Sequence, residues 1–277
     1  MVRKHSESSV SIGIRKTMIS LQNGNSLVEK QKPGEYTIKI ANTLEERESV
    51  FRLGYQIYLE KGFIGANSQE WLVRNYDANE ETVILIAQDK EKNIIGSVTL
   101  VFDAKCKLPA EKMYADEINT VRACGHSIAE ISRLIIHPEY RNSKEVLLLL
   151  FNYLAIYTYH VKRYNCLTVQ VNPRHTSYYK QFLNFEEIGA LKFSPHLNNA
   201  PAILLSLPTS VYQSEIRNTQ TSNEPIKKER SLYPHFLKQE QEMLVAHYLK
   251  NHTKPISIEE KMYFGLSESG INKADIV

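Results

Sequence analysis

The chain has few cysteines, no strong excess of charge of either sign and no long uninterrupted apolar run. Its three cysteines, Cys106, Cys124 and Cys166, lack the paired spacing of a metal site, so we expect reduced thiols and a cytoplasmic location. The 34 Lys and Arg residues nearly balance the 31 Asp and Glu residues, which argues against nucleic-acid binding. The longest apolar run, after Glu145, is shorter than the roughly 20 residues of a membrane span. We therefore predict no metal site and no transmembrane segment.

Regular secondary-structure signals begin at Tyr36 and end near Pro208. Residues 1–34 are polar and predict a flexible N-terminal arm. Across residues 35–208, stretches of period-two alternation and of helical spacing follow in the order β-α-(irregular)-β-β-β-α-β-α-β-β, and residues 104–126 look irregular. This order predicts an α/β domain in which helices flank a mixed, mostly antiparallel central sheet. One parallel pair of strands should flank a crossover helix.

Residues 209–277 lack this regular alternation. The stretch "SVYQSEIRNTQTSNEPIKKER" is typical of a linker, whereas "PHFLKQEQEMLVAHYLKNH" has the spacing of an amphipathic helix. We therefore predict a linker and a helical C-terminal appendage. The helix either packs on the domain or binds a partner.

Two strand-to-helix segments carry the candidate chemistry. The first, "EISRLIIHPEYR", runs from Glu130 to Arg141; the second, "NPRHTSYYKQFLNF", places Asn172 and Tyr179 seven residues apart. Together with the element order, they resemble the GNAT superfamily of N-acyltransferases. The "EISR" sequence and the run "HTSYYKQFLNFEEIGALKFSPHLNNAPAILLSL" are similar to acyl-homoserine-lactone synthases and long-chain N-acyl amino acid synthases. The resemblance covers about residues 36–208 and implies a GNAT-like fold.

An acid–base pair follows from the resemblance and from side-chain chemistry. Glu130 is the candidate base, because a free α-amino group titrates near ~8 and needs only modest help from a carboxylate. Tyr179 is the candidate acid for the leaving thiolate. The alternatives are a buried Glu130–Arg133 ion pair without chemistry and a Tyr179 ring that only packs beneath the sheet. Strict strand alternation aims Arg133 away from Glu130, and a bulge, typical of the superfamily, would bring it round.

The resemblance also implies substrate contacts from a polar set: Ser132, Arg133, Asp77, His175 and Asn172. Asp77 matches the second acidic residue of the lactone synthases' Asp-x-x-Asp pair, but Arg74 stands at the first position. Gly54 and Thr99 stand where the synthases typically carry arginines. These departures argue against lactone synthesis, and Asp77 would meet an acceptor ammonium or be a solvated loop residue. His175 would orient the substrate or cap the helix.

The acyl donor should lie where the fourth strand meets the next helix. A strand bulge would free backbone N–H groups for pantetheine or the oxyanion, at Leu134, Ile135 and Ile136. Most acetyl-CoA enzymes of this superfamily hold pyrophosphate with glycines, but Lys144 and Val146 occupy those positions here. Beside the helix N-terminus, Arg141 and Lys144 would instead meet the single phosphate of a phosphopantetheine arm. The alternative is that both are solvated charges.

Aromatic and aliphatic side chains on the first helix and third strand would line an acyl tunnel or form ordinary core: Phe51, Tyr55, Tyr58, Phe63, Val98, Leu100 and Phe102.

The predicted activity is transfer of a long-chain acyl group from an acyl-carrier-protein thioester, or from acyl-CoA, to the amine of a free amino acid, with no permanently bound cofactor. Two alternatives are a CoA-dependent N-acetyltransferase and an inactive GNAT-like module that senses acyl groups or binds a partner.

Overall fold

The computed structural model describes residues 36–104, 106–221 and 231–266, so the predicted N-terminal arm lies outside it. In these residues seven strands form one sheet in the order β1-β2-β3-β4-β5-β7-β6. The strands are β1 (Thr37–Ile40), β2 (Val83–Gln88), β3 (Ile94–Phe102), β4 (Ile128–Ile136), β5 (Cys166–Val171), β6 (Glu186–Ser194) and β7 (Ala200–Pro208). The helices are α1 (Leu44–Glu60), α2 (Glu111–Ala123), α3 (Lys144–Ile156), α4 (Pro173–Leu183), α5 (Thr209–Thr221), α6 (Gln239–Asn251) and α7 (Ile258–Tyr263).

The sheet has the mixed pairing that the sequence predicts. Strands β4 and β5 are parallel, and α3 is the helix that connects them. The other neighbouring strands pair antiparallel. A parallel pair needs a crossover connection, and the strongly apolar α3 supplies it by packing back on the sheet.

The sheet separates two apolar layers. On one side, here named the α3 face, Val146, Leu150 and Leu154 of α3 pack on alternate residues of the central strands, including Leu100 and Ile131. On the other side, named the α2 face, the neighbouring positions of the same strands meet α1 and α2. Strand alternation thus assigns each β4 residue to one face, and this assignment positions the candidate site.

Local sequence explains the first helix well. Thr43 and Glu46 form a capping box, in which the Thr43 hydroxyl accepts from the Glu46 N–H and the Glu46 carboxylate accepts from the Thr43 N–H. Val50 and Phe51 then face β2 of the sheet. The capping box therefore fixes where α1 begins.

Two predictions about local structure are wrong. Residues 111–123, read as irregular, form α2, and residues 209–221, read as linker, form α5. Each helix buries a narrow apolar stripe: Tyr114 and Ile118 in α2, and Tyr212 and Ile216 in α5. Two apolar residues four apart make a weak periodic signal, so tertiary contacts rather than local pattern fix both helices.

The C-terminal appendage packs on the domain on both faces of the sheet. On the α3 face, α6 buries Val245, Ala246 and Leu249. On the α2 face, Phe264 packs edge-on against Phe51 with ring centroids 4.8 Å apart. The packing alternative is therefore the correct one for α6. Among the helices of the described residues, none combines the length and the apolar character needed to cross a bilayer.

Candidate active site

Strand β4 contains the predicted bulge at Arg133. Its pairing with β3 shifts register between Ser97 and Thr99, and Arg133 has a φ of 42°. This conformation is uncommon for a residue with a Cβ. It turns the Arg133 side chain to the α2 face, where its guanidinium donates to Thr99 Oγ1 at 3.0 Å. Arg133 therefore shares a face with Ser132 and Glu130, as the bulge hypothesis required.

Strands β4 and β5 separate just above Glu130. They pair from Ile128↔Cys166 to Ile131↔Val169. Beyond this point β4 continues to Ile136, whereas β5 ends at Val171 and pairs only with β7, on its other side. In the described part of the chain, no strand pairs with β4 on its β5 side beyond Ile131. The predicted donor-binding backbone lies along this gap, at Leu134, Ile135 and Ile136.

Glu130 is a buried carboxyl group at the base of this gap, with 1% of its surface exposed. Its Oε2 accepts from the Ala110 N–H at 2.8 Å, and its Oε1 accepts from Gln170 Nε2 at 2.9 Å. Burial outweighs these two hydrogen bonds and raises the pKa of Glu130 to about 7. A carboxyl group with this pKa can take up and release a proton near neutral pH.

Arg133 does not pair with Glu130, so that alternative is wrong. Its guanidinium forms a bidentate ion pair with Asp77, and Nη1 also donates to the Leu72 carbonyl at 2.8 Å. Only 3% of the Arg133 side chain and 1% of the Asp77 side chain are exposed. Burial alone lowers a guanidinium pKa, but the Asp77 carboxylate outweighs it and raises the pKa of Arg133. Asp77 is thus not a solvated loop residue, and its charge is already neutralised.

Sequence reasoning missed two polar neighbours of the predicted site. The Tyr76 hydroxyl lies 3.0 Å from Ser132 Oγ, and its ring lies 5.3 Å from the Arg133 guanidinium carbon. Gln170 donates to Glu130 from the parallel strand β5. The sequence signal for Gln170 was available, because Thr168 and Gln170 are polar at alternate positions of an otherwise apolar strand.

Tyr179 lies on the α3 face, opposite Glu130 across the sheet. Its ring packs edge-on against Phe151 and Phe185, with centroids 5.6 and 5.4 Å away. Burial raises the pKa of its phenol, which is the opposite of what full proton transfer to a thiolate requires. The packing alternative is therefore true of the ring, and a role for the hydroxyl stays a prediction.

Asn172 and His175 begin α4. Asn172 is the N-cap residue, and its side-chain oxygen accepts from the Arg174 N–H at 3.2 Å. His175 is exposed, and its Nε2 accepts from Arg174 Nε at 3.0 Å. The capping alternative for His175 is wrong, because Asn172 caps the helix. Substrate contacts by either residue stay predictions.

A group of cations surrounds the outer end of the gap. Lys144 is the exposed first residue of α3, and Arg141 stands three residues earlier with its Nη2 3.4 Å from Glu60 Oε2. Partial desolvation and the nearby guanidinium groups of Arg141 and Arg174 lower the pKa of Lys61. Positive charge from the end of α1, from the loop before α3 and from the start of α4 therefore converges here. Val146 is fully buried, so it offers no glycine-like approach to a pyrophosphate.

The acyl tunnel proposed from the first helix is wrong. Phe51 packs in the α2-face layer, whereas Val98, Leu100 and Phe102 belong to the α3-face layer. The sheet itself separates them. These residues are ordinary core.

A cavity of about 540 Å³ opens on the α2 face between α2 and strands β5, β6 and β7. Asp116, Glu117 and Ser206 are among its lining residues. Ser206 pairs in register with Thr168, which pairs with Glu130. The Thr168 hydroxyl is buried and has no hydrogen-bond partner among the described residues. The cavity and the Glu130 carboxyl thus share one face of the sheet, two strands apart.

No group of three or more His, Cys, Asp or Glu side chains that could hold a metal ion occurs within residues 36–104, 106–221 and 231–266.

Solved structures share this fold. FeeM, an N-acyl amino acid synthase from uncultured soil microbes, is 23% identical with a TM-score of 0.57, over 66% of this chain and 95% of that one. The AHL synthase LasI is 16% identical with a TM-score of 0.51, and the match covers 64% of this chain and 91% of LasI. BjaI, a CoA-dependent acyl-homoserine lactone synthase solved with SAM and isopentyl-CoA, is 16% identical with a TM-score of 0.51. The match covers 67% of this chain and 89% of BjaI.

Sequence comparison agrees with the structural neighbours. No curated protein sequence matches the chain. The family model for the N-acyl amino acid synthase FeeM matches residues 49–208, which is more than half of the chain and includes Glu130, Arg133 and Tyr179. The chain therefore belongs to the FeeM family of N-acyl amino acid synthases, and it is an acyltransferase with the GNAT fold.

Proposed function

We propose that this acyltransferase moves a fatty acyl group from an acyl-carrier-protein thioester to the amine of a free amino acid in the cytoplasm. The observation that carries the proposal is Glu130, a buried carboxyl group with a pKa of about 7 where β4 and β5 separate. A gap between two parallel strands can hold an extended pantetheine arm by its amides. A carboxyl group at the gap's inner end then meets the reacting thioester.

Glu130 acts as the base. Its carboxylate accepts a proton from the attacking amine, directly or through one water, as the nitrogen bonds to the thioester carbon. The carbonyl oxygen takes up negative charge, and backbone N–H groups of Leu134 to Ile136 stabilise it. The tetrahedral intermediate then breaks its C–S bond, giving an amide and a pantetheine thiolate.

Tyr179 donates a hydrogen bond to the departing sulfur and does not surrender its proton. Burial raises the pKa of the phenol, whereas a free thiol titrates near ~8.5. The thiolate therefore gains its proton from water at the open end of the gap. Glu130 releases the proton that it took from the amine to solvent before the next cycle.

A carrier protein is the favoured donor for two reasons: cations lie near the outer end of the gap, and the segment that leads into α3 lacks the glycines of a pyrophosphate site. Lys61, Arg141 and Arg174 lie close together near the outer end of the gap, and Lys144 begins α3 three residues after Arg141. The carrier offers an acidic surface with a single phosphodiester. The glycines that admit a CoA pyrophosphate are replaced by Lys144 and Val146. BjaI is a CoA-dependent synthase with a similar fold, so acyl-CoA is the second candidate donor.

A free amino acid is the favoured acceptor because of the family. The amine approaches on the α2 face, where Glu130 presents its carboxyl group and where the 540 Å³ cavity opens. Arg133 and Asp77 neutralise each other, so we assign them to shaping this approach and not to charged contacts with the acceptor. Ser132, hydrogen-bonded to Tyr76, remains a candidate contact.

The test supplies purified protein with matched dodecanoyl thioesters of an acyl carrier protein and of CoA, together with a mixture of amino acids. Mass spectrometry should detect an N-acyl amino acid with the wild type, mainly from the carrier donor, and none with Glu130→Gln. Glu139→Gln is the matched control, because Glu139 is exposed and should leave activity unchanged. Product from CoA alone would favour the second donor. No acyl product from a folded wild-type protein would overturn the proposal.

A further inference from the structure

The cavity between α2 and strands β5, β6 and β7 lies toward the end of the sheet that is opposite the gap. Cys166 begins β5, Pro208 ends β7, and these two residues pair in register and both line the cavity. The gap opens at the other end of β5, beyond Val169. Thr168, which lies between the cavity and Glu130 in the sheet, is fully buried. The cavity is therefore a space additional to the reaction centre.

The size and walls of the cavity suit a small organic molecule. Its volume of about 540 Å³ falls within the roughly 300–1,000 Å³ that is typical of small-molecule sites. The C-terminal half of α2 forms one wall, and the sheet forms the floor. Val121, Ile188 and Pro208 give it apolar surface from three different elements. A compact apolar group can thus be enclosed between α2 and the sheet.

Ser206 places a hydroxyl group in the floor of the cavity. It lines the cavity and is only 8% exposed. Its hydroxyl has no hydrogen-bond partner among the residues that the structure describes, and neither has the hydroxyl of Thr168, its partner in the sheet. Buried polar groups in folded proteins nearly always have a partner. A molecule in the cavity that carries a hydrogen-bonding group would supply the partner for Ser206.

The cavity also carries one unbalanced negative charge. Asp116 and Glu117 line it from α2. The Glu117 carboxylate pairs with Lys192 Nζ at 2.7 Å, whereas the Asp116 carboxylate has no ion-pair partner within residues 36–104, 106–221 and 231–266. His126 lines the cavity with its Nδ1 3.2 Å from Asn165 Oδ1. No Lys or Arg occurs among the described residues of the lining. A cationic donor would form the strongest hydrogen bond to Asp116.

We propose that this cavity is a second ligand site, which binds a small organic ammonium ion. The ammonium group pairs with Asp116, and the apolar body of the ligand lies between α2 and the sheet. A hydroxyl group at the other end of the ligand bonds to Ser206. The site goes beyond the proposed acyl transfer, because its occupant does not touch Glu130.

The test compares three probes by isothermal titration calorimetry. Tyramine has an ammonium group, an aromatic body and a hydroxyl group; phenethylamine lacks the hydroxyl group; 4-hydroxyphenylacetate has a carboxylate in place of the ammonium group. The wild type should bind tyramine at least roughly tenfold more tightly than 4-hydroxyphenylacetate, because a charge-assisted hydrogen bond contributes about this much to affinity.

Three variants assign the parts of the site. Asp116→Asn should weaken tyramine binding by roughly tenfold or more. Ser206→Ala should weaken binding of tyramine and leave binding of phenethylamine unchanged. Glu139→Gln is the matched control, because Glu139 is an exposed acid outside the cavity, and it should bind all three probes like the wild type. Asp116 is itself exposed, so its replacement should leave the melting temperature unchanged.

Cysteine alkylation locates the probe independently of its affinity. Cys124 is exposed and lines the cavity, whereas Cys106 lies outside it. Tyramine should slow the reaction of Cys124 with iodoacetamide and leave the reaction of Cys106 unchanged, as measured by mass spectrometry of the peptides.

Four results would overturn the site. They are absence of tyramine binding at millimolar concentration, equal binding of tyramine and 4-hydroxyphenylacetate, wild-type binding by Asp116→Asn, and tyramine binding without protection of Cys124. In the last case Glu130→Gln separates the two possible locations, because loss of binding in that variant would place tyramine at the reaction centre as an acceptor.

Discussion

The pKa of Glu130 gives a prediction in which stability and activity must change together. Glu130 ordinarily titrates at 4.5, and burial raises its pKa to about 7 in the folded protein. Between these two values the unfolded chain has released the proton while the folded chain still holds it. The free energy of unfolding therefore falls as pH rises through this window. A shift of this size corresponds to about 3 kcal/mol, because each pKa unit is worth about 1.36 kcal/mol.

Glu130→Gln removes the titration and keeps the shape of the side chain. Its amide oxygen can accept from the Ala110 N–H, and Gln170 can rotate its own amide to accept from the new one. The variant should therefore lose activity and yet become more stable relative to the wild type as pH rises. Most of the 3 kcal/mol change in relative stability should develop between pH 5 and pH 8.

Urea unfolding of both proteins from pH 5 to pH 8 measures the difference between their free energies of unfolding. Every other titrating group is present in both proteins, so its contribution cancels in this difference. The wild-type kcat/KM, calculated for the neutral amine form of the acceptor, should rise about tenfold per pH unit below pH 7 and level off above it. A stability difference that does not depend on pH would refute the raised pKa. A rate profile with its midpoint near 4.5 would refute it independently.

Three further predictions concern the surroundings of the site. Asp77→Asn should lower the free energy of urea unfolding by roughly 3–5 kcal/mol, because it leaves the Arg133 guanidinium buried and unpaired; a cost below about 1 kcal/mol would contradict the pairing. Tyr179→Phe should lower kcat by roughly tenfold to a hundredfold with an unfolding free energy within about 1 kcal/mol of wild type, and an unchanged kcat would leave the ring only a packing role. Gly54→Arg should cost at least about 2 kcal/mol in the same unfolding assay, because a Cβ there would lie 3.0 Å from Ile135 Cδ1; a neutral effect would show that α1 can shift.

The sequence allowed the sheet to be predicted, because strands and helices depend on local rules. Alternation predicted the strands, and the apolar stretch after Ser143 predicted the crossover helix α3. The bulge followed from the resemblance to the superfamily, since alternation alone aims Arg133 at the other face. The structure has each of these features. The family resemblance is likewise confirmed over residues 49–208.

The contacts of Arg133 could not be predicted in the same way. It and Asp77 are 56 residues apart in sequence, and which carboxylate an arginine meets depends on how a loop returns over the sheet. For the same reason, the acyl tunnel was assigned to Phe51 and Leu100, which the sheet separates. Apolar residues reveal that they are buried but not in which layer they lie.

The bulge at Arg133 also explains why one strand can serve two chemically different layers. With strict alternation after Ile131, Arg133 would point into the apolar α3 face, where an unpaired charge would be very costly. The backbone at φ 42° instead sends it to Asp77 on the α2 face. Leu134 and Ile136 then both pack on the α3 face. Polar side chains thus collect on the α2 face at the bulge, and the α3 face beside it stays apolar.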